Sequence, residues 1–317
     1  MASSLMANIL QGGVALFWLS GLQRFAGPIS AAFKASALEF VLVLPILAVP
    51  MRLFQKEGTE LIRVDQWIAR LGGSEGPVVA FSVLALGSGA IFLFQELIPL
   101  WKRVHERPRG GLSRDPRLDL GLGRVLAGYY GKRSWRGRTP IALLLESSDP
   151  IASLQGFFHP RILISRTLLS ELDDQELDGV LAHEIAHAAF GGNLRMVFLW
   201  GARALQLLSP ADLIAFRGLL EQRERACDEL AVNVTGRPAA LASALLRVQE
   251  EGRAVAGTSA IARARAEVER RIELETTRAR VRALLDIPES ERHSGQVPWY
   301  VWALTGSVMG GILWAIR

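Results

Sequence analysis

One cysteine, Cys227, stands in 317 residues, so no intramolecular disulfide can form and cysteine usage points to no redox compartment. A cleavable leader is not expected either: the first apolar stretch has no basic flank, and Gln11 and Gly12 interrupt it. No internal repeat is present. Charge is sparse at 21% against 50% hydrophobic residues, and the mean hydropathy is +0.24. That balance is too apolar for an ordinary soluble chain of this length and directs attention to membrane spans.

Four stretches are candidates, since crossing about 30 Å of hydrocarbon takes roughly 20 helical residues. Residues 5–22 carry no charge. Residues 35–53 follow Lys34, hold Glu39 near their start and contain Pro45 and Pro50. Residues 77–101 are the strongest, with Glu96 their one acid. Residues 297–316 are uncharged, with Trp299, Tyr300 and Trp302 at one edge and Trp314 at the other, as interfacial aromatics are placed. Three spans in residues 1–101 and a fourth in 297–317 would then bracket a domain-sized segment, 102–296.

Orientation follows from the cations. Residues 102–138 hold eleven Lys or Arg against three acids, a balance of +8, whereas the loop 52–76 has four of each. The positive-inside rule puts 102–296 in the cytoplasm and 52–76 outside. The basic run has few interleaved aromatics (Tyr129, Tyr130, Trp135), so topology and anionic lipid are expected of it rather than nucleic acid.

Within the bracketed segment, residues 141–146 and 161–166 are short apolar runs between turn residues and read as strands, with a further strand within 151–158. From Asp173 the period becomes helical. Asp173 and Glu176 make a capping box, and Leu177, Val180, Leu181, Ile185 and Ala188 mark the buried side. Gly191-Gly192 is a stop signal. Further helices are expected at about 195–208, 211–234, 238–255 and 260–285, the last as a solvated Arg/Glu-rich helix.

The helix after Asp173 carries His183-Glu184-Ile185-Ala186-His187, the HExxH pattern. Residues i and i+4 share a helix face, so both imidazoles can reach one zinc ion, and Glu184 can act as general base towards a water there. A catalytic zinc needs a third protein ligand. Glu224, 37 residues beyond His187, is the candidate, with Asp228 one turn on to hold a ligand histidine by its other ring nitrogen. Cys227 points off that face and reads as a small packing residue. His105, His159 and His293 lack metal-type spacing and read as surface or turn residues.

Three signals in order resemble the membrane metallopeptidases of the beta-lactam sensor-transducer (BlaR/MecR antirepressor) type. They are Gly156-Phe157-Phe158-His159-Pro160-Arg161-Ile162-Leu163-Ile164, the run from Leu169-Ser170 to His187, and Arg223-Glu224-Arg225-Ala226-Cys227-Asp228. The E-x-x-C-D form differs from the E-x-x-A-D of heat-shock and prenyl-processing membrane proteases. The resemblance implies a multi-span α-helical membrane protein of a bacterial inner membrane with an inserted α+β gluzincin-type zinc peptidase domain. It implies His183, His187 and Glu224 as ligands, Glu184 as base and Asp228 behind them. It also implies an edge strand within 151–158 that aligns an extended substrate, and a transcriptional repressor as one substrate class. The large outer sensor domain that such proteins carry after the last span is not expected here. A signal is therefore expected through 52–76, through the spans, or through a separate sensor protein. Two rivals keep part of this reading: a membrane quality-control or peptide-maturation protease, and a zinc-stabilised signalling scaffold without catalysis.

Overall fold

The computed structural model describes residues 2–25, 30–54, 75–98, 111–131, 139–251, 274–286 and 299–315. Most of the expected outer loop 52–76, residues 102–110 and 132–138 of the basic run, His105, His293 and the first half of the expected helix 260–285 lie outside them. The chain divides into two compact units, one of residues 1–107, 197–223 and 295–317, the other of 108–196 and 224–294.

In chain order the elements are α1 (Ala2–Phe25), α2 (Ala31–Phe54), α3 (Glu75–Ile91) running into a π-helical turn at Phe92–Leu97, β1 (Leu112–Ser113) and α4 (Pro116–Gly131). There follow β2 (Ile141–Leu145), β3 (Ala152–Gln155), β4 (Arg161–Ser165), α5 (Arg166–Glu171), α6 (Asp174–Ala189), α7 (Gly192–Leu205), α8 (Pro210–Thr235) and α9 (Pro238–Glu251). Residues 274–285 form α10, and α11 is Trp299–Ala315.

The first unit is helical. Ala15 and Leu19 of α1, Phe33, Ala37, Val41 and Leu44 of α2, Ala215 of α8 and Val301, Met309 and Ile312 of α11 form its core. Phe33 meets Trp302 edge-on with centroids 4.4 Å apart. Glu39, an acid in an apolar helix, lies 3.8 Å from Arg223, the kind of pairing that lets a charge sit in such surroundings. On α3, Val79, Val83, Leu84 and Leu86 are all exposed, so this helix is apolar on its outer side as well. The four stretches with span-like hydropathy fall on α1, α2, α3 and α11. Among the described residues, however, no helix is long and apolar enough to cross a membrane. Helices α3 and α11 have 17 residues each, and α2 carries Lys34, Glu39 and Arg52.

The second unit is a four-stranded sheet with helices packed on it. Strand order is β1-β2-β4-β3. The expected strands are present, and β2 and β4 pair in parallel from Ile141↔Arg161 to Leu145↔Ser165. Strand β3 turns back antiparallel onto β4, from Ala152↔Ile164 to Gln155↔Arg161. The turn between them needs Gly156, whose φ is +86°, because a Cβ there would collide with the carbonyl oxygen of His159.

Helix α6 is the axis of this unit. The capping box exists: Asp173 accepts from the N–H groups of Gln175 and Glu176, and Glu176 accepts from Asp173 N–H at 2.9 Å. Leu177, Val180, Leu181 and Ile185 are buried as the periodicity requires, while Ala188 is half-buried. The rest of 176–186 is buried too, because α4, α9, β3 and β4 all pack against the helix. Helix α9 comes so close at Gly179 that a Cβ there would meet the Leu241 backbone at 3.3 Å. The stop falls where glycine permits it, at Gly191 (φ +91°) and Gly192 (φ +56°).

Helix α4 was not foreseen. It lies inside the basic run, yet Leu118, Leu122, Val125, Leu126 and Tyr129 belong to the core under the sheet. Its cations still serve locally: Arg124 binds Asp178 of α6 through Nη2 at 2.7 Å and Nε at 3.1 Å.

Candidate metal centre

Helix α6 presents His183 and His187 one turn apart, with Nε2 atoms 3.1 Å from each other. The part of α8 after Arg223 brings Glu224 to them, with carboxylate oxygens 3.6 Å from His183 Nε2 and 3.5 Å from His187 Nε2. Zn–N and Zn–O bonds of about 2.0–2.2 Å in a tetrahedral site put neighbouring donors about 3.3 Å apart. The Nε2–Nε2 separation and the nearest N–O separations, one to each carboxylate oxygen, are close to that spacing, and one oxygen with the two ring nitrogens lies within 4.8 Å, so the three residues form a candidate metal site. Two imidazoles and one carboxylate suit zinc.

The far nitrogen of each ring is held by the protein, as ligating histidines require. His183 Nδ1 lies 2.9 Å from Asp228 Oδ1, somewhat off the line of an ideal hydrogen bond. His187 Nδ1 lies 3.3 Å from Cys227 Sγ. Cys227 is fully buried, as a packing residue would be, and its sulfur faces the back of a histidine rather than the point where the three donors converge. Tyr129, buried under α6, donates its hydroxyl to Ala182 O at 2.7 Å, the carbonyl just before His183. His159 is exposed in the turn after β3.

One constituent escaped the sequence reading. Arg280 of α10 grips Asp228 with two bonds, Nε to Oδ2 and Nη2 to Oδ1, both 2.7 Å, and places Nη1 3.2 Å from Glu224 Oε2. A bidentate guanidinium fixes the plane of the carboxylate it holds, so Arg280 orients the group that orients His183. Its signal was weak because it sits in an Arg/Glu-rich stretch whose composition reads as a solvated face.

The electrostatics follow from this ring of charges. Burial lowers the His183 pKa, but Asp228 and Glu224 beside it prevail and carry it up to about 10. The pocket thus favours a cation. Burial raises the Asp228 carboxyl, and Arg280 and His183 more than reverse that. Glu224 is held well below the ordinary carboxylate range because His183, His187 and Arg280 outweigh its burial. Glu184 goes the other way. It is buried, and burial is the largest influence on it, so its pKa is raised although the Leu154 N–H donates to its carboxylate and His183 lies near. A carboxyl inclined to take up a proton is what a general base in this position needs.

Residues 134–274 match the family described as BlaR1 peptidase M56. A protease HtpX homolog of Acidiphilium cryptum is 32% identical over 148 residues, covering 36% of this chain and 51% of the relative. One from Acaryochloris marina is 26% identical over 235 residues, covering 61% of this chain and 76% of the relative. One from Thermococcus kodakarensis is 26% identical over 148 residues, covering 35% and 51%. The chain thus spans about half the length of the first and third of these relatives and about three quarters of the second. The resemblance carried by the HExxH and E-x-x-C-D motifs therefore holds: across the segment that bears His183, His187 and Glu224, the chain is similar to the BlaR1 M56 peptidases.

Proposed function

We propose that the protein is a zinc endopeptidase, anchored in a bacterial inner membrane by the helices of its first unit, that cuts a protein substrate on the cytoplasmic side in regulated proteolysis. The observation that carries this reading is the convergence of His183 Nε2, His187 Nε2 and a Glu224 oxygen within 4.8 Å of one another. The match to a peptidase family and the relatives named as proteases support the chemistry. The outward apolar side of α3 supports membrane anchoring, and the +8 balance of residues 102–138 supports the orientation.

The chain's residues divide the work. His183, His187 and Glu224 would hold the ion, and zinc would supply Lewis acidity and a water of lowered pKa. Glu184 takes the proton from the attacking water and returns it to the leaving amine. Asp228 and Arg280 keep the His183 ring at one angle. A peptide, a transcriptional repressor among the candidates, would lie extended across the sheet edge.

The test is metal content by elemental analysis of detergent-purified wild type, His187→Ala and Glu224→Ala, with casein cleavage measured on the same samples. About one zinc per chain in wild type, lost from both variants together with cleavage, is expected of a site with three protein ligands. Full zinc in Glu224→Ala would remove Glu224 from the ligand set. Wild type without zinc would end the peptidase reading. Degradation of casein without any specific partner would favour a quality-control protease over a regulatory one. Retention of biological function in Glu184→Gln would favour a non-catalytic scaffold.

A further inference from the structure

Strand β3 pairs with β4 on one side and forms the edge of the sheet on the other among the described residues. Backbone groups of an antiparallel strand point alternately to its two sides. Ser165 N–H donates to Ile151 O at 2.8 Å, so Ile151, Ser153 and Gln155 turn towards β4. Ala152 and Leu154 therefore turn their N–H and C=O groups to the outer edge, and the Gly156 carbonyl follows them in the turn just beyond β3.

Three of those outward groups already have partners on α6 and α7. Leu154 N–H donates to the Glu184 carboxylate. Asn193 Nδ2 donates to Leu154 O at 3.1 Å and to Gly156 O at 3.3 Å. Asn193 reaches this place because Gly191 and Gly192, both at positive φ, reverse the chain between α6 and α7. A side-chain amide that binds alternate carbonyls of an edge strand makes the bonds that the N–H groups of an added strand would make. It competes with them for the same oxygens.

We propose that Asn193 sets the register of an extended polypeptide substrate on β3: its carboxamide closes the Leu154–Gly156 end of the edge and leaves strand addition to the Ala152 end. The proposal rests on the peptidase reading for its substrate class. It makes Asn193 a specificity-determining residue that limits how much of a substrate backbone the enzyme reads beside Glu184.

The experiment uses the full chain in detergent, as wild type, Asn193→Ala and Asn193→Asp, each also in a Glu184→Gln background. Asp keeps the shape of Asn but has no amide hydrogens to donate, so it reports on the donors if the alanine variant folds poorly. Fluorescein-labelled, reduced β-casein is the probe, its binding read by anisotropy in the Glu184→Gln background. Zinc content, KM and the cleavage sites are read in the active background. Both variants should keep full zinc and bind casein about two- to tenfold more tightly, the worth of roughly one net backbone hydrogen bond. KM should fall by a similar factor, and new cleavage sites should appear. Unchanged or weaker binding, a fall in kcat at constant KM, or loss of zinc would each overturn the proposal, because Asn193 would then only brace β3. If zinc-loaded wild type cleaves nothing, the peptidase reading fails, while the binding comparison still decides the role of Asn193.

Discussion

Asp212 and Asp228 lie on the same helix, α8, and both are shut away from solvent, yet their carboxyls are driven in opposite directions. At Asp212, in the first unit, burial is the dominant influence and pushes the pKa up to about 7, despite Ser209 and the charge of Arg203. At Asp228, in the second unit, burial is also the largest single influence, but it is outweighed and the pKa falls below the ordinary value. What differs is the cation. Arg280 gives Asp228 a bidentate grip at 2.7 Å, whereas Arg203 directs Nη1 to Gln206 O at 2.9 Å and Nη2 to Ser88 Oγ at 3.3 Å. Burial thus sets the penalty for a charge, and the nearest guanidinium decides whether the charge persists. The second unit keeps an ionised carboxylate behind His183, where it favours a cation. The helical unit holds one whose charge is disfavoured.

The contrast is broken most sharply by removing its cause. Arg280→Leu leaves Asp228 buried without the guanidinium, with His183 alone beside it, and removing one member of a buried ion pair costs about 3–5 kcal/mol of stability. Zinc affinity should fall about 10- to 100-fold as the His183 ring loses its support. Thermal unfolding and a zinc-chelator competition measure the two. Adding Asp228→Asn should recover part of the stability but not the affinity. Equal stability of Arg280→Leu and wild type would show that Asp228 does not depend on the guanidinium.

Another buried acid of the second unit tests whether the rule holds away from His183. Glu176 accepts from Ser243 Oγ at 2.6 Å, from Arg247 Nε at 3.0 Å and from Asp173 N–H. Those bonds overcome its burial and lower its pKa. Its stabilisation is therefore present above the ordinary value of 4.5 and is lost as pH falls through the lower folded value. Glu176→Gln should cost roughly 1–3 kcal/mol at neutral pH, with zinc content unchanged and the gap to wild type closing in acid. A gap that is constant with pH would mean that the charge contributes nothing.

Asp212 should show the opposite sign. Its proton is held to about pH 7 in the folded chain and released near 3.8 in the unfolded one, so wild-type stability falls as pH rises between those values and is level above. Asp212→Asn removes that fall. Its melting temperature relative to wild type should rise from pH 4 to about pH 7 and then level off, and parallel melting curves across this range would contradict the assignment.

Local chemistry was the legible part of this molecule. The HExxH and E-x-x-C-D spacings give His183, His187, Glu224 and Asp228, whose positions rest on helical periodicity and converge within the second unit. The capping box at Asp173 and strands β2, β3 and β4 were also local signals. Arg280 and Asn193 were not legible, since each acts on a residue far away in sequence, Asp228 and Leu154. Helix α4 was hidden by its own composition: the cations that mark a juxtamembrane run flank an apolar stripe, Leu118 to Tyr129, that the sheet buries.

The smallest expected effect concerns Cys227, the residue that separates the E-x-x-C-D form from E-x-x-A-D. Its sulfur is buried and lies 3.3 Å from His187 Nδ1, on the side of the ring away from Glu224 and the other imidazole. A thiol is a weak donor and a small hydrophobe in such a place. Cys227→Ala removes one heavy atom, so it should cost about 1 kcal/mol and leave one zinc per chain. Asp228→Asn, which acts on the other histidine through a charge, should weaken zinc about 10- to 100-fold by the same chelator competition. The two variants probe matching positions behind the two rings. If Cys227→Ala were to lose zinc as completely as His187→Ala, the sulfur would itself belong to the ligand set, and the division between a charged support for His183 and an apolar one for His187 would fall.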